Sequence, residues 1–122
     1  MKCDIGDIVF VNSYTYPDGS KGNYHIFVIM DISNDEITAI PIECLGFIVS
    51  SQIDKNNNVN PKYPYNEPIN PNNENRLPKK SHVKCDELFS INPDNVFFVL
   101  GKITDTEYSK YIDLYKESLE NK

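Results

Sequence analysis

The sequence has no tryptophan and few of the side chains that carry metal or redox chemistry. Two histidines and three cysteines occur among its 122 residues. The cysteines, Cys3, Cys44 and Cys85, are odd in number and widely spaced, which is typical of neither a disulfide framework nor a CxxC zinc site. We therefore expect reduced thiols, no metal site and no cofactor.

Long apolar runs are also missing. No run approaches the roughly 20 residues that a membrane-spanning helix needs. The N-terminus lacks the charged and then apolar segments of a secretory signal. These absences predict a cytoplasmic protein that does not act at a membrane.

Basic residues are outnumbered, because 12 Lys and Arg stand against 18 Asp and Glu, for a formal net charge of -6. Such a chain repels polyanions on average, so binding of nucleic acid needs a local basic patch. Arg76, Lys79, Lys80, His82 and Lys84 form one candidate. The alternative is a solvated loop edge, which is the commoner role of such charge runs.

What is present is typical of one small globular domain spanning residues 1–122. Hydrophobic residues make up 39% of the chain, with eight Tyr and six Phe. That content and length suffice for one hydrophobic core but not for two.

Short runs rich in β-branched and aromatic residues, separated by turn residues, predict a mainly antiparallel β protein. The run Tyr24–Ile32 is apolar on both alternating faces, which is typical of a central strand covered on two sides. Pro41 lacks an N–H and indicates an edge or a bulge. The predicted strands are Ile5–Asn12, Tyr24–Ile32, Ile37–Leu45, Phe47–Ile53 (a new strand or an extension), His82–Ile91 and Val96–Ile103.

Residues 54–80 form a stretch in which asparagine and proline dominate. Five prolines and almost no aliphatic side chains occur in it. We predict a long irregular loop, and we favour a floppy insertion over an ordered lid, because little apolar surface is available to offset the entropy of ordering.

The hydrophobic period changes to that of a helix after residue 103. Thr104 and Glu107 have the spacing of a capping box. An apolar stripe follows and predicts a helix packed on the core: Tyr108, Tyr111, Ile112, Tyr115 and Leu119. The elements together predict an SH3-like small barrel of strongly bent antiparallel strands with a C-terminal helix.

Three strings resemble the MazF/PemK toxins of toxin-antitoxin pairs. They are GDIVFV at 6–11, HVKCDELFSI at 82–91 and GKITDTEY at 101–108. The resemblance implies a MazF/PemK/CcdB-like fold, a homodimer and an antitoxin as partner. It also implies a metal-independent endoribonuclease, since active members cut single-stranded RNA through in-line attack by the ribose 2′-OH.

The residues that active members use are not retained at the matching positions. His25 stands where the family has a second-strand Arg, and the family's Thr falls near Glu43 or Cys44. We predict a catalytic pair of His25 and Glu43, which can take the acid and base roles. Arg76, Lys79, Lys80 and His82 are the predicted substrate-binding residues, and Ser50, Ser51 and Ser81 are alternative sources of a hydroxyl.

Two other functions stay open at this point. One is a non-catalytic SH3-like barrel that binds a protein through its tyrosine-bearing loops, which the acidic pI of 4.8 favours. The other is a toxin homologue whose catalytic site has degenerated, with His25 as a hydrogen-bonded residue in a buried strand.

Overall fold

The computed structural model describes residues 3–51 and 63–121, which form one antiparallel sheet and a C-terminal helix. A short 3-10 turn, Pro93–Asn95, precedes the last strand. The strands are β1 (Asp7–Thr15), β2 (Lys21–Asn34), β3 (Pro41–Ser50), β4 (Asn66–Ile69), β5 (Ser81–Lys84), β6 (Phe89–Ile91) and β7 (Val96–Lys102), and the helix is α1 (Asp105–Glu120).

The sheet curls into a ring because the two neighbours of β2 are joined by a further strand. β2 pairs with β1 and with β3, while β6 joins β1 to β3 through Thr15↔Ser90 and Leu45↔Ser90. β5 and β4 extend the sheet beyond β3, and β7 pairs with β1. This ring confirms the predicted curled antiparallel β architecture.

Two cores lie on the two faces of β2. Phe27 and Ile29 belong to the cluster inside the ring, and Val28 and Met30 belong to the cluster on the outer face. All four side chains are buried, because neighbouring residues of a strand point to opposite faces and both faces are covered. The two-sided burial predicted for this strand is confirmed.

One strand interrupts the predicted irregular loop within residues 63–80, while residues 54–62 lie outside the described residues. β4 occupies part of this stretch and pairs with β5. Asn75, 1% exposed, closes a turn by accepting hydrogen bonds from the N–H groups of Asn72 and Leu77 and donating to the carbonyl of Asn70. Asparagine side chains here supply the bonds that a strand ladder supplies elsewhere.

The same turn rests on β7. The N–H of Lys102 donates to the carbonyl of Glu74, at 3.0 Å. A Cβ atom on Gly101 would lie 2.2 Å from that carbonyl oxygen. Glycine is therefore required where the turn crosses the strand.

Two predicted strands have different boundaries in the structure. Ile37–Ala39 lie in a turn, because the Asp35 carboxylate accepts from the N–H groups of Ile37 and Thr38. The strand then runs from Pro41 through Gly46 without a break. The predicted strand 82–91 is two strands, β5 and β6, separated by a turn.

α1 covers the outer core as predicted. Tyr111 is buried, the Tyr108 hydroxyl donates to the carbonyl of Met30 at 2.9 Å, and Tyr115 contacts the ring of Phe47. Leu119 does not belong to this face, since 48% of it is exposed. No helix in the described ranges is long and apolar enough to cross a membrane.

The capping box of α1 generates a stability prediction. The Thr104 hydroxyl accepts from the Glu107 N–H, and the Glu107 carboxylate accepts from the Thr104 N–H. Thr104→Ala should lower the free energy of unfolding by about 1 kcal/mol, because the substitution leaves a helix N–H without its acceptor. Urea denaturation measures the change, and Thr106→Ala in the same turn is the matched control. Equal effects of the two substitutions would contradict a capping role.

Candidate active site

Two histidines and a serine lie in a row across three neighbouring strands. β2 and β3 pair through Ile26↔Val49, so the next step of the register brings His25 level with Ser50. β3 and β5 then pair Ser50 with His82. Strands are about 4.8 Å apart, so the backbones of the two histidines are separated by roughly 10 Å with Ser50 between them.

The three side chains share the face that lines the ring. His25 alternates with Phe27 of the inner core and contacts the rings of Phe27 and Tyr14, with centroid separations of 6.0 and 6.4 Å. Ser50 alternates with Ile48 of the same core. His82 precedes Val83 of the outer core, so its side chain is on the opposite face from Val83 and points into the ring.

His25 has a local partner for either protonation state. Its Nδ1 lies 3.0 Å from the N–H of Ile26 and 3.2 Å from the carbonyl of the same residue. Burial lowers the pKa of His25, the Ile26 contact raises it, and the positive charge of Lys84 lowers it; the net direction is downward. The lowered pKa favours the neutral form of His25, and its Nδ1 accepts from the Ile26 N–H or donates to the Ile26 carbonyl according to the tautomer.

His82 is more deeply buried, with 6% of it exposed. Its Nδ1 has no hydrogen-bond partner among the residues that the structure describes. Burial lowers its pKa, and the charge of Lys84 lowers it further. Because Lys84 acts on both histidines, the three side chains belong to one electrostatic environment.

A surface depression of about 260 Å³ opens beside this row. His25 and Ser50 line it together with Lys79, Phe10 and Tyr24. His25, Ser50 and Lys79 therefore border one depression at the surface.

The predicted pair of His25 and Glu43 does not form. Glu43 pairs with Ser33, eight positions along β2 from His25, which is about 26 Å of strand. It also precedes Cys44 of the inner core and so faces the opposite side of the sheet from His25. Its carboxylate accepts from the Ser90 hydroxyl at 3.0 Å, in a different depression.

The structure does not bring the predicted basic residues together in one place. Lys79 shares the depression with His25, and His82 lies in the row. Arg76 lines another depression, beside Lys102 at the end of β7. Lys80 lies just before β5 and is half-buried.

Lys84 was part of the predicted basic run but was not among the predicted site residues, and Ser50 was named only as an alternative hydroxyl. Strand register identifies both residues. One step beyond the pair Ile26↔Val49 brings Ser50 level with His25. Because side chains alternate along β5, Lys84 is on the same face as His82. Within residues 3–51 and 63–121, no group of three His, Cys, Asp or Glu side chains has the arrangement of a metal site.

A family model for PemK-like, MazF-like toxins of type II toxin-antitoxin systems matches residues 4–113. The chain belongs to this family. It is therefore the toxin component of a toxin-antitoxin pair, and an antitoxin is its partner. A search of curated proteins finds no match. The resemblance carried by the three strings is confirmed for this PemK-like toxin.

The two neutral histidines of the PemK-like toxin generate a prediction of pH-dependent stability. An unfolded histidine takes up a proton near its ordinary pKa of about 6.5, whereas the folded ones do so at lower pH. The unfolded state then binds more protons, so the free energy of unfolding should fall as pH falls from about 7.5 to about 5. Urea denaturation across this range measures the slope.

His82→Gln should reduce that slope, because glutamine does not titrate. Asp18 and Asp35 also have shifted pKa values, but both shifts are downward from 3.8 and act below this range. An identical slope in the variant and the unmodified toxin would show that His82 does not contribute.

Proposed function

We propose that this toxin is a metal-independent endoribonuclease that cuts single-stranded RNA through its 2′-OH. The observation that carries the proposal is the row of His25, Ser50 and His82 beside Lys79. Cleavage of this kind needs a base for the 2′-OH proton, an acid for the leaving 5′-oxygen, and donors or positive charge at the phosphate. The row contains a group for each of these roles.

His82 is the proposed base, because a neutral imidazole offers a lone pair and its buried Nδ1 has no partner among the described residues. This role requires the bound RNA to reach this nitrogen past His25 and Ser50, which line the depression. His82 takes the 2′-OH proton while the 2′-oxygen attacks phosphorus. The bond from phosphorus to the 5′-oxygen breaks, and that oxygen takes a proton from His25 in its imidazolium form, which the negative charge of the bound phosphate favours. The products are a 2′,3′-cyclic phosphate and a free 5′-hydroxyl.

The phosphate is held by the groups between and beside the histidines. Ser50 supplies a hydroxyl donor at the centre of the row. Lys79 lies at the rim of the depression, and Lys84 is close enough to both histidines to lower their pKa values. Two cations next to neutral imidazoles favour a bound dianionic transition state over the empty site.

Substitution of the row should abolish cleavage of an unstructured RNA in the presence of a chelator. His25→Gln and His82→Gln should each lower the rate about 10²- to 10⁴-fold, the usual contribution of a general acid or base. Ser50→Ala should lower it as well, through loss of a donor to the phosphate. Denaturing gels measure the rate, and mass spectrometry identifies the cyclic phosphate.

Two matched variants test whether the effect is specific to the row. Ser33→Ala changes another serine of the sheet, and Glu43→Gln changes the carboxylate on the opposite face. Both should cleave at the rate of the unmodified toxin. An RNA with a deoxyribose at the scissile position should resist cleavage. Full activity of His25→Gln and His82→Gln would overturn the proposal and favour a barrel that acts through protein binding alone.

The homodimer implied by the resemblance is part of the same proposal. Two copies would present two such sites, and light scattering of the purified toxin measures the mass directly. If the toxin is a monomer in solution and still cleaves RNA, cleavage does not require the dimer.

A further inference from the structure

Four aromatic rings contact one another on β1, β2 and β7, and three of them are exposed around a half-buried Phe10. We call this surface the aromatic shelf: Phe10, Tyr24, Phe97 and Phe98. Tyr24 is 68% exposed and Phe97 63%. Large apolar rings that contact one another at the surface of a soluble domain usually mark a binding site.

The rings of the shelf are arranged about Phe10. Phe98 stacks on Phe10 with a centroid separation of 5.4 Å and an angle of 12° between the planes. The Tyr24 ring stacks on Phe10 with a centroid separation of 6.2 Å, and the Phe97 ring meets Phe10 edge-on at 6.4 Å. Ring pairs at these separations hold each other in place, so the shelf is built before any ligand arrives.

Tyr24 is presented by an uncommon backbone conformation. Its φ is +48°, in the left-handed region that residues other than glycine rarely adopt. It directly precedes His25, so the departure from regular strand geometry occurs where the shelf meets the histidine row.

The shelf continues into the candidate active site. Phe10 and Tyr24 line the same depression as His25, Ser50 and Lys79. An RNA strand bound in this depression would lie next to His25 and to two rings of the shelf. Proteins that bind single strands combine these two components, cations along the backbone and aromatic rings under the bases.

We propose that the aromatic shelf stacks unpaired bases of the RNA next to the cleaved phosphate. That the ligand is RNA rests on the proposed nuclease function. The shelf would bind bases of that RNA that do not take part in the reaction. Stacking reads the flat face of a base, so the shelf binds every base and does not by itself select a sequence. A protein surface would not need the shelf to lead into a depression that contains a lysine and a histidine.

The test is the affinity for a fluorescent 2′-O-methyl oligonucleotide, which lacks the attacking hydroxyl and stays intact. Tyr24→Leu and Phe97→Leu keep apolar bulk but remove the ring. Each should weaken binding about 5- to 150-fold, the range of one base–aromatic stack. Fluorescence anisotropy measures the affinity. Ile37→Leu is the control, because this side chain is 95% exposed in the β2–β3 turn, away from the shelf.

A second oligonucleotide with abasic sites in place of the bases separates stacking from backbone contacts. The shelf variants should bind it as the unmodified toxin does. Equal losses for the abasic and the base-bearing strand would overturn the proposal. So would weakened binding that occurs only together with a change of oligomeric mass by light scattering, since the shelf would then be a contact between protein chains.

The outcome is independent of whether the toxin cleaves. If the histidine variants retain cleavage but the shelf variants lose base-dependent binding, the proposed catalytic residues fail and the shelf stands. If the histidine variants lose cleavage but Tyr24→Leu and Phe97→Leu bind both strands normally, the shelf fails and the nuclease stands.

Discussion

The pairing of β2 on both of its edges is the constraint on which the rest of this toxin depends. A strand with one partner would leave the sheet open, but β2 hydrogen-bonds to β1 and to β3, and β6 then joins those two strands. Phe27 and Ile29 fill the ring while Val28 and Met30 meet the layer that contains α1. Burial of apolar side chains on both faces opposes any slip of this strand, because a shift by one residue would exchange its two faces. The position of His25 at the end of the buried run follows from that register.

Local signals in the sequence were sufficient for most of the elements. β2 and α1 were predicted because two-sided apolar runs and a capping box are properties of neighbouring residues. The segment around Asn75 was missed for the opposite reason. Its order comes from side-chain amides that bond to the backbone and from contact with Gly101, a residue far along the chain. Composition alone describes such a segment as a loop, since asparagine and proline are common in both ordered turns and irregular chain.

The structure separates the two residues predicted as a catalytic pair, and the separation has a physical cause. His25 was placed on its strand by resemblance, but its partner depends on which residue of β3 lies opposite, and hydrogen-bond register is not a local property. Placing the family's Thr by its string alone led to Glu43, near the start of β3, whereas the strand continues to Ser50. A strand of ten residues separates those two positions by more than 20 Å. In a curled sheet, a motif therefore identifies neighbouring site residues only once the pairing register of the strands is known.

The proposed binding of a phosphate by this acidic chain has an electrostatic basis. The net charge of -6 is spread over the whole sequence, while the histidine row faces Lys84 and opens beside Lys79. Burial and Lys84 keep both imidazoles neutral in the empty site, so the toxin avoids a cluster of buried positive charges that would weaken the fold. A phosphate brings negative charge to the same place and makes protonation of an imidazole more favourable. In the proposed reaction, the proton taken from the 2′-OH would thus be stabilised on the protein only while the phosphate is present, which would couple the acid and base roles to the substrate.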